Sequence, residues 1–347
     1  MSVHWNKATS YSKSIWRAGV ALAVVAFAGP IWAAPQKMEQ TSIHGADYIS
    51  LSEWSLRHRY EIHRSRTGEG VELIHEKSRL IFEKDSNFGS VNGVNVVLSW
   101  PVAVRNGSAY IASLDAHTIL DPIIFPVSPE RSKITTICLD AGHGGKDPGT
   151  QDGPNQEKRQ TLLLAQEVAQ ELKGLGFKVV QTRTRDKFIE KPDRAETANR
   201  KGADLFVSFH FNSSADRSVS GIETYCLTPP GAISSNSQEE GSTGVSAAGN
   251  ANDRQNMLFA YHIQHALVHE LRVPDRGIHL ARFAVLKPLL MPGVLVEGGF
   301  MSNPSESRRL SDAQYRKKVA RAVLDGIEGF CRAVEARGFA ANHEAQK

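Results

Sequence analysis

The segment Cys138-Leu139-Asp140-Ala141-Gly142-His143-Gly144-Gly145-Lys146-Asp147-Pro148-Gly149 decides how the rest of this 347-residue chain is interpreted. It includes the end of an apolar, β-branched run over residues 134–139, which is short enough for a buried strand. The glycines that surround His143 permit the close approach of another group. This histidine is therefore a candidate metal ligand, although a single histidine at a tight turn is more often structural.

Three further segments place a chemically active side chain beside a predicted element. His210 and Glu297 each follow an apolar run that is typical of a strand, and Glu157 opens a helical pattern. In parallel α/β sheets, ligands gather at the carboxyl ends of the strands. We therefore expect side chains from four separated segments to converge on one point.

Together these motifs resemble those of the zinc-dependent N-acetylmuramoyl-L-alanine amidases, the family that includes the bacterial cell-division amidases. The resemblance extends over residues 134–332. Where the family often has Thr or Ser after the catalytic glutamate, this chain has Gly298, a change that gives no reason to expect loss of activity. The matching segments are 139–149, Glu157-Lys158, Arg194 with Ala198-Asn199, 208–212 and 294–303.

The resemblance implies that His143, Glu157 and His210 are the protein ligands of a Zn²⁺ ion. Three protein ligands leave a fourth position open, as hydrolytic zinc sites require. Glu297 is then the expected general base, which also returns the proton to the leaving nitrogen. The alternative interpretation of Glu297 is a salt bridge, either to a nearby arginine or to Lys158.

Four other polar residues are assigned supporting roles. Asn212 either positions the substrate amide or caps the following loop. Asp140 either orients a ligand histidine from behind or accepts hydrogen bonds from backbone donors at the turn. Arg194 and Asn199 match family positions and are expected to brace the fold.

A second group of histidines, at positions 262, 265 and 269, has helical spacing. We expect these side chains to lie opposite the apolar face of their helix, on a solvated surface, and not to form a second metal site. The cysteines are expected to be small buried hydrophobic residues, and at least one of the three must be a free thiol. They are Cys138, Cys226 and Cys331.

Strands and helices alternate along residues 134–335, which predicts an α/β catalytic domain with a mostly parallel sheet flanked by helices. A capping box at Ser311–Gln314 is expected to start the final helix. Residues 336–347 are interpreted as a tail.

Upstream, residues 47–126 contain short β-rich runs separated by Asn92-Gly93 and Asn106-Gly107, which are strong hairpin signals. This small β-rich domain resembles the stalk domain named after the N-terminal domain of copper amine oxidases. Turn-forming residues over 127–133 predict an interdomain linker. On this interpretation, removing residues 47–126 should leave the hydrolysis of small muropeptides intact.

The N-terminus has the features of an export signal. Basic residues precede an apolar stretch over 18–28, followed by small residues, which predicts a secretory signal peptide over 1–33. Cleavage is expected after Ala28 or Ala33, and the stretch is too short for a membrane span, so the mature chain should have none. An uncleaved anchor is the alternative. The expected location is the periplasm or cell wall.

The overall charge agrees with a cell-wall partner. The net charge is +4 and the isoelectric point is near 8.9, which favours attraction to an anionic wall polymer. No cluster of Lys and Arg is interleaved with aromatic residues, so nucleic acid is not an expected partner. An activating protein is possible for this family, but the sequence does not identify one.

Three functions compete on this evidence. The favoured one is hydrolysis of the amide between N-acetylmuramic acid and L-alanine in peptidoglycan. The alternatives are a non-catalytic peptidoglycan-binding protein and a zinc carboxypeptidase-like peptidase. His143 and Glu157 are spaced too widely for the His-x-x-Glu arrangement of the carboxypeptidases.

A long loop over residues 229–253 interrupts the catalytic half. It is rich in Ser, Gly and Asn, so it cannot form a core of its own. In the division amidases, the corresponding region holds a helix whose carboxylate blocks the zinc. Here Glu239 and Glu240 are the acidic candidates, but no amphipathic stripe surrounds them, and we expect a mobile loop without an inhibitory role.

Overall fold

The computed structural model describes residues 38–43, 45–126, 133–235 and 245–344, with side chains up to residue 335. The predicted signal peptide (1–33), residues 127–132 of the predicted linker, and Glu239 and Glu240 lie outside the described residues. So do the side chains of the predicted tail. In the described ranges, no helix is long and apolar enough to cross a lipid bilayer.

The chain up to residue 126 consists mainly of short antiparallel strands. Both predicted Asn-Gly turns are present: Asn92 and Gly93 have φ values of 52° and 83°, and Asn106 and Gly107 have 50° and 79°. Such left-handed backbone is what a type I′ hairpin turn requires. The elements are β1 (Gln40–Ile43), β2 (Ala46–Ser50), α1 (Leu51–His58), β3 (Glu61–Arg64), β4 (Val71–His75), β5 (Ser78–Phe82), β6 (Phe88–Val91), β7 (Val94–Val97), β8 (Ala103–Arg105), β9 (Ser108–Ala112), α2 (Ser113–Asp115), a π-helical turn (Ala116–Leu120) and α3 (Asp121–Ile124).

The chain from residue 133 alternates strands and longer helices, as predicted. The elements are β10 (Thr136–Ala141), β11 (Gln151–Asp152), β12 (Asn155–Gln156), α4 (Glu157–Gly174), β13 (Lys178–Gln181), α5 (Lys191–Arg200), β14 (Leu205–Asn212), β15 (Ile222–Leu227), a 3₁₀ turn (Ala248–Asn252), α6 (Asp253–Leu271), β16 (Asp275–Ala281), β17 (Gly293–Phe300), α7 (Pro304–Ser311) and α8 (Ala313–Glu344).

Eleven strands form one continuous sheet in the order β13-β10-β14-β17-β15-β16-β7-β6-β5-β4-β3. The first four are parallel to one another, β15 is antiparallel to β17, and β15, β16 and β7 are again parallel. From β7 to β3 every pair is antiparallel. The prediction of a mostly parallel sheet is wrong, because β15 reverses direction and the N-terminal hairpins continue the same sheet, which is therefore mixed.

The two halves of the sheet meet where β16 pairs with β7, at Ile278 opposite Val96. Asn95 strengthens this junction: its backbone N–H donates to Asp275 Oδ2 at 2.7 Å, and its side-chain amide donates to the Asp275 carbonyl at 2.9 Å. Helix α6 packs behind both sides of the junction, against β15, β16, β17 and β7. A second small sheet, in the order β1-β2-β9-β8, lies within the N-terminal part.

Helices α4, α6 and α8 cover one face of the catalytic strands, and α8 packs on both α4 and α6. On the opposite face, Cys138, Phe206 and Leu295 form a separate apolar cluster with α5. Because side chains alternate along a strand, the polar residues two or four positions further on emerge from this same face. These residues are Asp140, Ser208, His210 and Glu297.

The start of the final helix differs from the prediction. Ser311 ends α7, a helix that the sequence pattern did not indicate, and its hydroxyl donates to the Ser307 carbonyl at 3.0 Å. Asp312 caps α8 instead, because its Oδ1 accepts the backbone N–H of Tyr315 at 2.8 Å. The helix therefore starts one residue later than predicted, with an N-cap at Asp312 in place of the predicted capping box.

Candidate metal centre

The loop after β10 holds His143 in an unusual backbone conformation. Its φ of 59° lies in the left-handed region, which non-glycine residues seldom adopt and which often marks a functional position. Asp147 Oδ2 lies 2.8 Å from His143 Nδ1, so the other ring nitrogen, Nε2, is directed towards Glu157. Burial tends to lower the pKa of His143, but its hydrogen bonds with Glu157 and Asp147 outweigh burial and raise it.

Two buried arginines fasten this loop by its carbonyl oxygens. Arg183 donates to the carbonyls of Ala141 and Gly142 at 2.9 and 2.7 Å. Arg194 donates to the carbonyls of Ala141 and His143 at 2.7 and 2.8 Å, which agrees with the bracing role expected for it. Sequence reasoning missed Arg183, whose only signal was its place two residues after the end of strand β13.

Asp140 anchors Arg194 and does not itself orient an imidazole. Its carboxylate is fully buried and accepts Arg194 Nη1 at 2.8 Å, Thr182 Oγ1 at 2.6 Å and Ser208 Oγ at 2.7 Å. The contact behind His143 that we expected from Asp140 is made by Asp147. A carboxylate four residues after the histidine, within the same tight turn, was the available signal.

Glu157 is the first residue of α4 and lies between the two imidazoles. Its Oε1 is 3.0 Å from His143 Nε2 and 3.0 Å from His210 Nδ1. Backbone N–H groups of Thr150 and Phe211 also donate to its two oxygens, at 2.8 and 3.0 Å. Burial tends to raise the pKa of Glu157, but the hydrogen bonds with His143 and His210 outweigh it and hold the pKa well below its usual range.

Glycines make room for the two imidazole rings. A Cβ at Gly142 would lie 2.4 Å from His210 Cε1, and one at Gly149 would lie 2.7 Å from His143 Cδ2. The rings meet edge to face, with centroids 4.8 Å apart. Any side chain at either glycine would therefore displace one of the histidines.

The side chains of His143, Glu157 and His210 suit a metal ion. One ligand atom from each lies within 4.8 Å of the others. Two imidazole nitrogens and one carboxylate oxygen form a donor set found in hydrolytic zinc sites. The nearby carboxyl group of Glu297 has an oxygen without a hydrogen-bond partner among the described residues. The residues present thus fit a divalent cation such as zinc.

Glu297 lies on β17 directly opposite His210 on β14. Its Oε2 is buried and has no hydrogen-bond partner among the described residues. Burial, followed by the nearby charges of Glu157 and Glu223, raises the pKa of Glu297 well above its usual range. The alternative of an ion pair with Lys158 is wrong, because Lys158 Nζ binds Asp186 Oδ2 and the Gly145 carbonyl, both at 2.8 Å.

Comparison with known proteins identifies the family of this chain. The profile of the Amidase_3 family, described as N-acetylmuramoyl-L-alanine amidase, matches residues 137–329. The chain belongs to this amidase family. Family membership supports peptidoglycan hydrolase activity. The matched range contains all the residues that surround the candidate metal centre.

The chain is also similar to individual proteins. The chain is 35% identical to the uncharacterized protein YqiI of Bacillus subtilis over 195 residues, which are 56% of this chain and 84% of YqiI. It is 33% identical to the amidase AmiA of Salmonella typhimurium over 215 residues, 55% of this chain and 74% of AmiA. A solved structure, the catalytic domain of the amidase CwlV from Bacillus (Paenibacillus) polymyxa, is 31% identical, with a TM-score of 0.48, and the match covers 58% of this chain and 99% of that one.

Asn212, near the metal centre of the amidase, is engaged in two hydrogen bonds. Its side-chain amide donates to Glu223 Oε2 at 2.8 Å, and its Oδ1 accepts the backbone N–H of Ser213 at 2.7 Å. The second bond is the loop-capping contact that was one of the two expectations. Glu223 itself was missed, although a glutamate in the apolar strand after Gly221 was a usable signal.

The remaining sequence expectations have separate outcomes. Asn199 braces the fold, since its side chain binds the Pro288 carbonyl and the Leu290 N–H at 2.8 and 3.0 Å. His262 is not on a solvated face: it packs on Gly329 of α8, and burial lowers its pKa to about 4. Cys138 and Cys226 are buried, Cys331 is half-buried, and all three are free thiols.

Proposed function

We propose that this amidase is zinc-dependent and cleaves the amide between the lactyl group of N-acetylmuramic acid and L-alanine. The observation that carries the proposal is the convergence of His143, Glu157 and His210 beside the unpartnered carboxyl oxygen of Glu297. The first three residues would hold the ion. When bound, zinc supplies a Lewis acid that polarises the scissile carbonyl and acidifies water.

Glu297 is the proton carrier in this mechanism. Its Oε2 is free of hydrogen bonds to the described residues, so it is available to take a proton from the attacking water. The same carboxyl group then gives the proton to the nitrogen of L-alanine, which leaves as an amine. The environment that raises the pKa of Glu297 favours uptake of the proton from water, since it makes the carboxylate a better proton acceptor than an exposed one.

The surrounding residues keep the ligands in place. Asp147 fixes the ring of His143 through Nδ1, which sets the tautomer. Arg183 and Arg194 hold the loop backbone from behind. These contacts pre-organise the site, so that little reorganisation accompanies the reaction.

The test is product analysis with purified sacculi. We expect release of stem peptides with a free N-terminal L-alanine, loss of that activity on chelation, and its recovery on adding zinc. A non-catalytic binding protein would release no peptide, and a carboxypeptidase would release residues from the C-terminal end of the stem. Full activity in protein shown to be metal-free would contradict the mechanism.

We also propose export and a wall-contacting role for the N-terminal strands. The supports are the signal-peptide pattern over 1–33 and the resemblance of residues 47–126 to a stalk domain. Mass spectrometry of the secreted chain should give a mature N-terminus after Ala28 or Ala33. Recovery of the chain from the membrane fraction with its first residues intact would favour the uncleaved anchor.

A further inference from the structure

A charged network next to Glu297 takes no part in the proton transfers. Its centre is Glu223 on β15, which pairs directly with Glu297 on β17 and is only 3% exposed. The Glu223 carboxylate accepts Arg276 Nε at 2.6 Å, Tyr225 Oη at 2.6 Å and Asn212 Nδ2 at 2.8 Å. With these three donors, Glu223 is a satisfied anion with a fixed geometry.

Arg276 belongs to this network but keeps some of its hydrogen-bond donors unused. Its guanidinium carbon lies 5.1 Å from the centre of the Phe300 ring, and its side chain is 40% exposed. Only Nε is hydrogen-bonded within the described ranges, so both terminal nitrogens are free of protein partners. An arginine stacked on a ring and fixed at Nε is pre-organised to bind a carboxylate with its two terminal N–H groups.

The sheet places this guanidinium within reach of a substrate held at Glu297. The strands run β14, β17, β15, β16, so Glu223 is two strand spacings from His210, about 10 Å. Two residues of an extended peptide span about 7 Å. A bound stem peptide that starts at the scissile amide and runs towards β16 would therefore bring its second residue to Arg276.

We propose that Arg276 binds a free carboxylate on the residue that follows L-alanine in the stem peptide, and that Glu223 is the positioning residue that holds Arg276. This proposal rests on the proposed amidase function. It predicts that the enzyme prefers a stem peptide with an acidic second residue over one in which that carboxylate is amidated.

The test uses two substrates that differ in one group, N-acetylmuramoyl-L-alanyl-D-glutamate and its D-isoglutamine counterpart, both with the side-chain carboxyl of the second residue blocked as a methylamide. We expect the wild-type KM for the acid to be about 10- to 100-fold lower, as for other charge-assisted hydrogen bonds. Arg276→Gln should raise the KM for the acid to that of the amide, with kcat little changed. The variant's KM values for the two substrates should be equal, and Arg276→Lys should restore part of the preference.

Arg309 offers a matched control. It is 43% exposed, it pairs with the buried Glu306 at 3.1 Å, and its guanidinium carbon lies 5.7 Å from the Tyr315 ring centre. Arg309→Gln removes a similar surface arginine and should not alter the preference between the two substrates. If the ratio of the two KM values in Arg276→Gln stays at its wild-type value, Arg276 does not bind the carboxylate.

A binding measurement separates this proposal from the amidase function. Calorimetry with the corresponding products, L-alanyl-D-glutamate and L-alanyl-D-isoglutamine with the same blocked side chain, requires no turnover. Wild-type protein should bind the acid at least about tenfold more tightly, and Arg276→Gln should abolish the difference. Equal affinities in wild-type protein would overturn the proposal. Failure to cleave either muramoyl peptide, with the binding preference intact, would contradict the amidase function alone.

Discussion

The hairpin strands β3 to β6 differ from the candidate metal centre and the residues around it, termed here the metal edge, in how far apart along the chain their interacting residues lie. Each hairpin strand pairs with the next one in sequence. At the metal edge, Arg194 binds Asp140 across 54 residues, and His210 meets Glu157 across 53. The first region is organised by local contacts, whereas the second exists only when the whole catalytic fold has formed.

The two regions also differ in buried charge. Asp140, Glu157, Arg183, Arg194 and Glu223 are all buried around the metal edge, each with several hydrogen bonds. In the N-terminal part, Asp115 is the one buried acidic or basic side chain among the described residues. A functional edge of this kind tolerates little substitution, because removing one partner leaves another charge buried and unpaired.

Deleting residues 38–126 is the most severe test of this comparison. The linker pattern predicts a separable domain, but the continuous sheet leads us to expect the opposite. The deletion removes β7, the pairing partner of β16, and exposes part of α6. Because β16 would then be an open edge strand, the remaining chain should be largely insoluble.

Soluble yield and zinc content of the truncated protein measure this effect. Co-expression of residues 38–126 as a separate chain should recover part of the yield. A soluble, monomeric, zinc-loaded truncation with full activity on small muropeptides would show that the two regions are independent despite sharing a sheet.

Glu297→Gln tests the metal edge itself. The amide keeps the shape of the side chain but cannot accept the proton, so kcat should fall by about 10²-fold or more. Zinc content, measured by metal analysis, should stay at the wild-type value. If zinc were lost together with activity, Glu297 would be a ligand and its assigned role would be wrong.

Asp140→Asn tests whether the buried ion pair with Arg194 stabilises the loop that holds His143. The change leaves Arg194 buried beside a neutral amide, and we expect a loss of about 3–5 kcal/mol in the free energy of unfolding, measured by urea denaturation. Thr182→Val removes one hydrogen bond from the same carboxylate and should cost only about 1 kcal/mol. Equal costs for the two variants would show that the ion pair contributes no more than an ordinary hydrogen bond.

Asp115→Asn makes the matching test in the N-terminal part. Burial raises the pKa of Asp115 to about 6, although backbone N–H groups of Ser99 and Trp100 oppose the shift. The folded pKa is above the unfolded value of about 3.9, so the charged form costs stability as pH rises through this window.

The stability of Asp115→Asn relative to wild type should therefore increase by about 2–3 kcal/mol between pH 4 and pH 7. Calorimetric melting at several pH values provides the measurement. A difference that stays constant with pH would mean that the Asp115 carboxyl is as acidic in the folded protein as in the unfolded chain.

Local patterns predicted much of the fold. The start of α4 at Glu157 was predicted correctly, and the left-handed turns at Asn92-Gly93 and Asn106-Gly107 follow from their residue types. These features depend on neighbouring residues, so the sequence contains the information directly. The direction of β15 and the pairing of β7 with β16 depend on contacts between distant segments, and no local pattern encodes them.

The candidate metal centre shows the same difference between features set by local sequence and features set by contacts between distant segments. Motif resemblance brought His143, Glu157 and His210 together as candidate ligands, and their side chains do converge. The roles of Arg183 and Glu223 were missed, because each acts through contacts across the sheet that sequence spacing does not specify. Asp140 was noticed but given the wrong partner, since its hydrogen bonds reach residues 42, 54 and 68 positions away.

The pairing of β16 with β7 also bears on solubility. Without β7, the strand β16 would present a row of open backbone groups beside the buried side chains of Ile278 and Leu280. Such an edge invites pairing with another molecule. The hairpins instead move the end of the sheet to β3, an exposed strand that carries Glu61 and Arg64. Charged side chains on an edge strand discourage intermolecular pairing, so the N-terminal strands protect the catalytic sheet from aggregation.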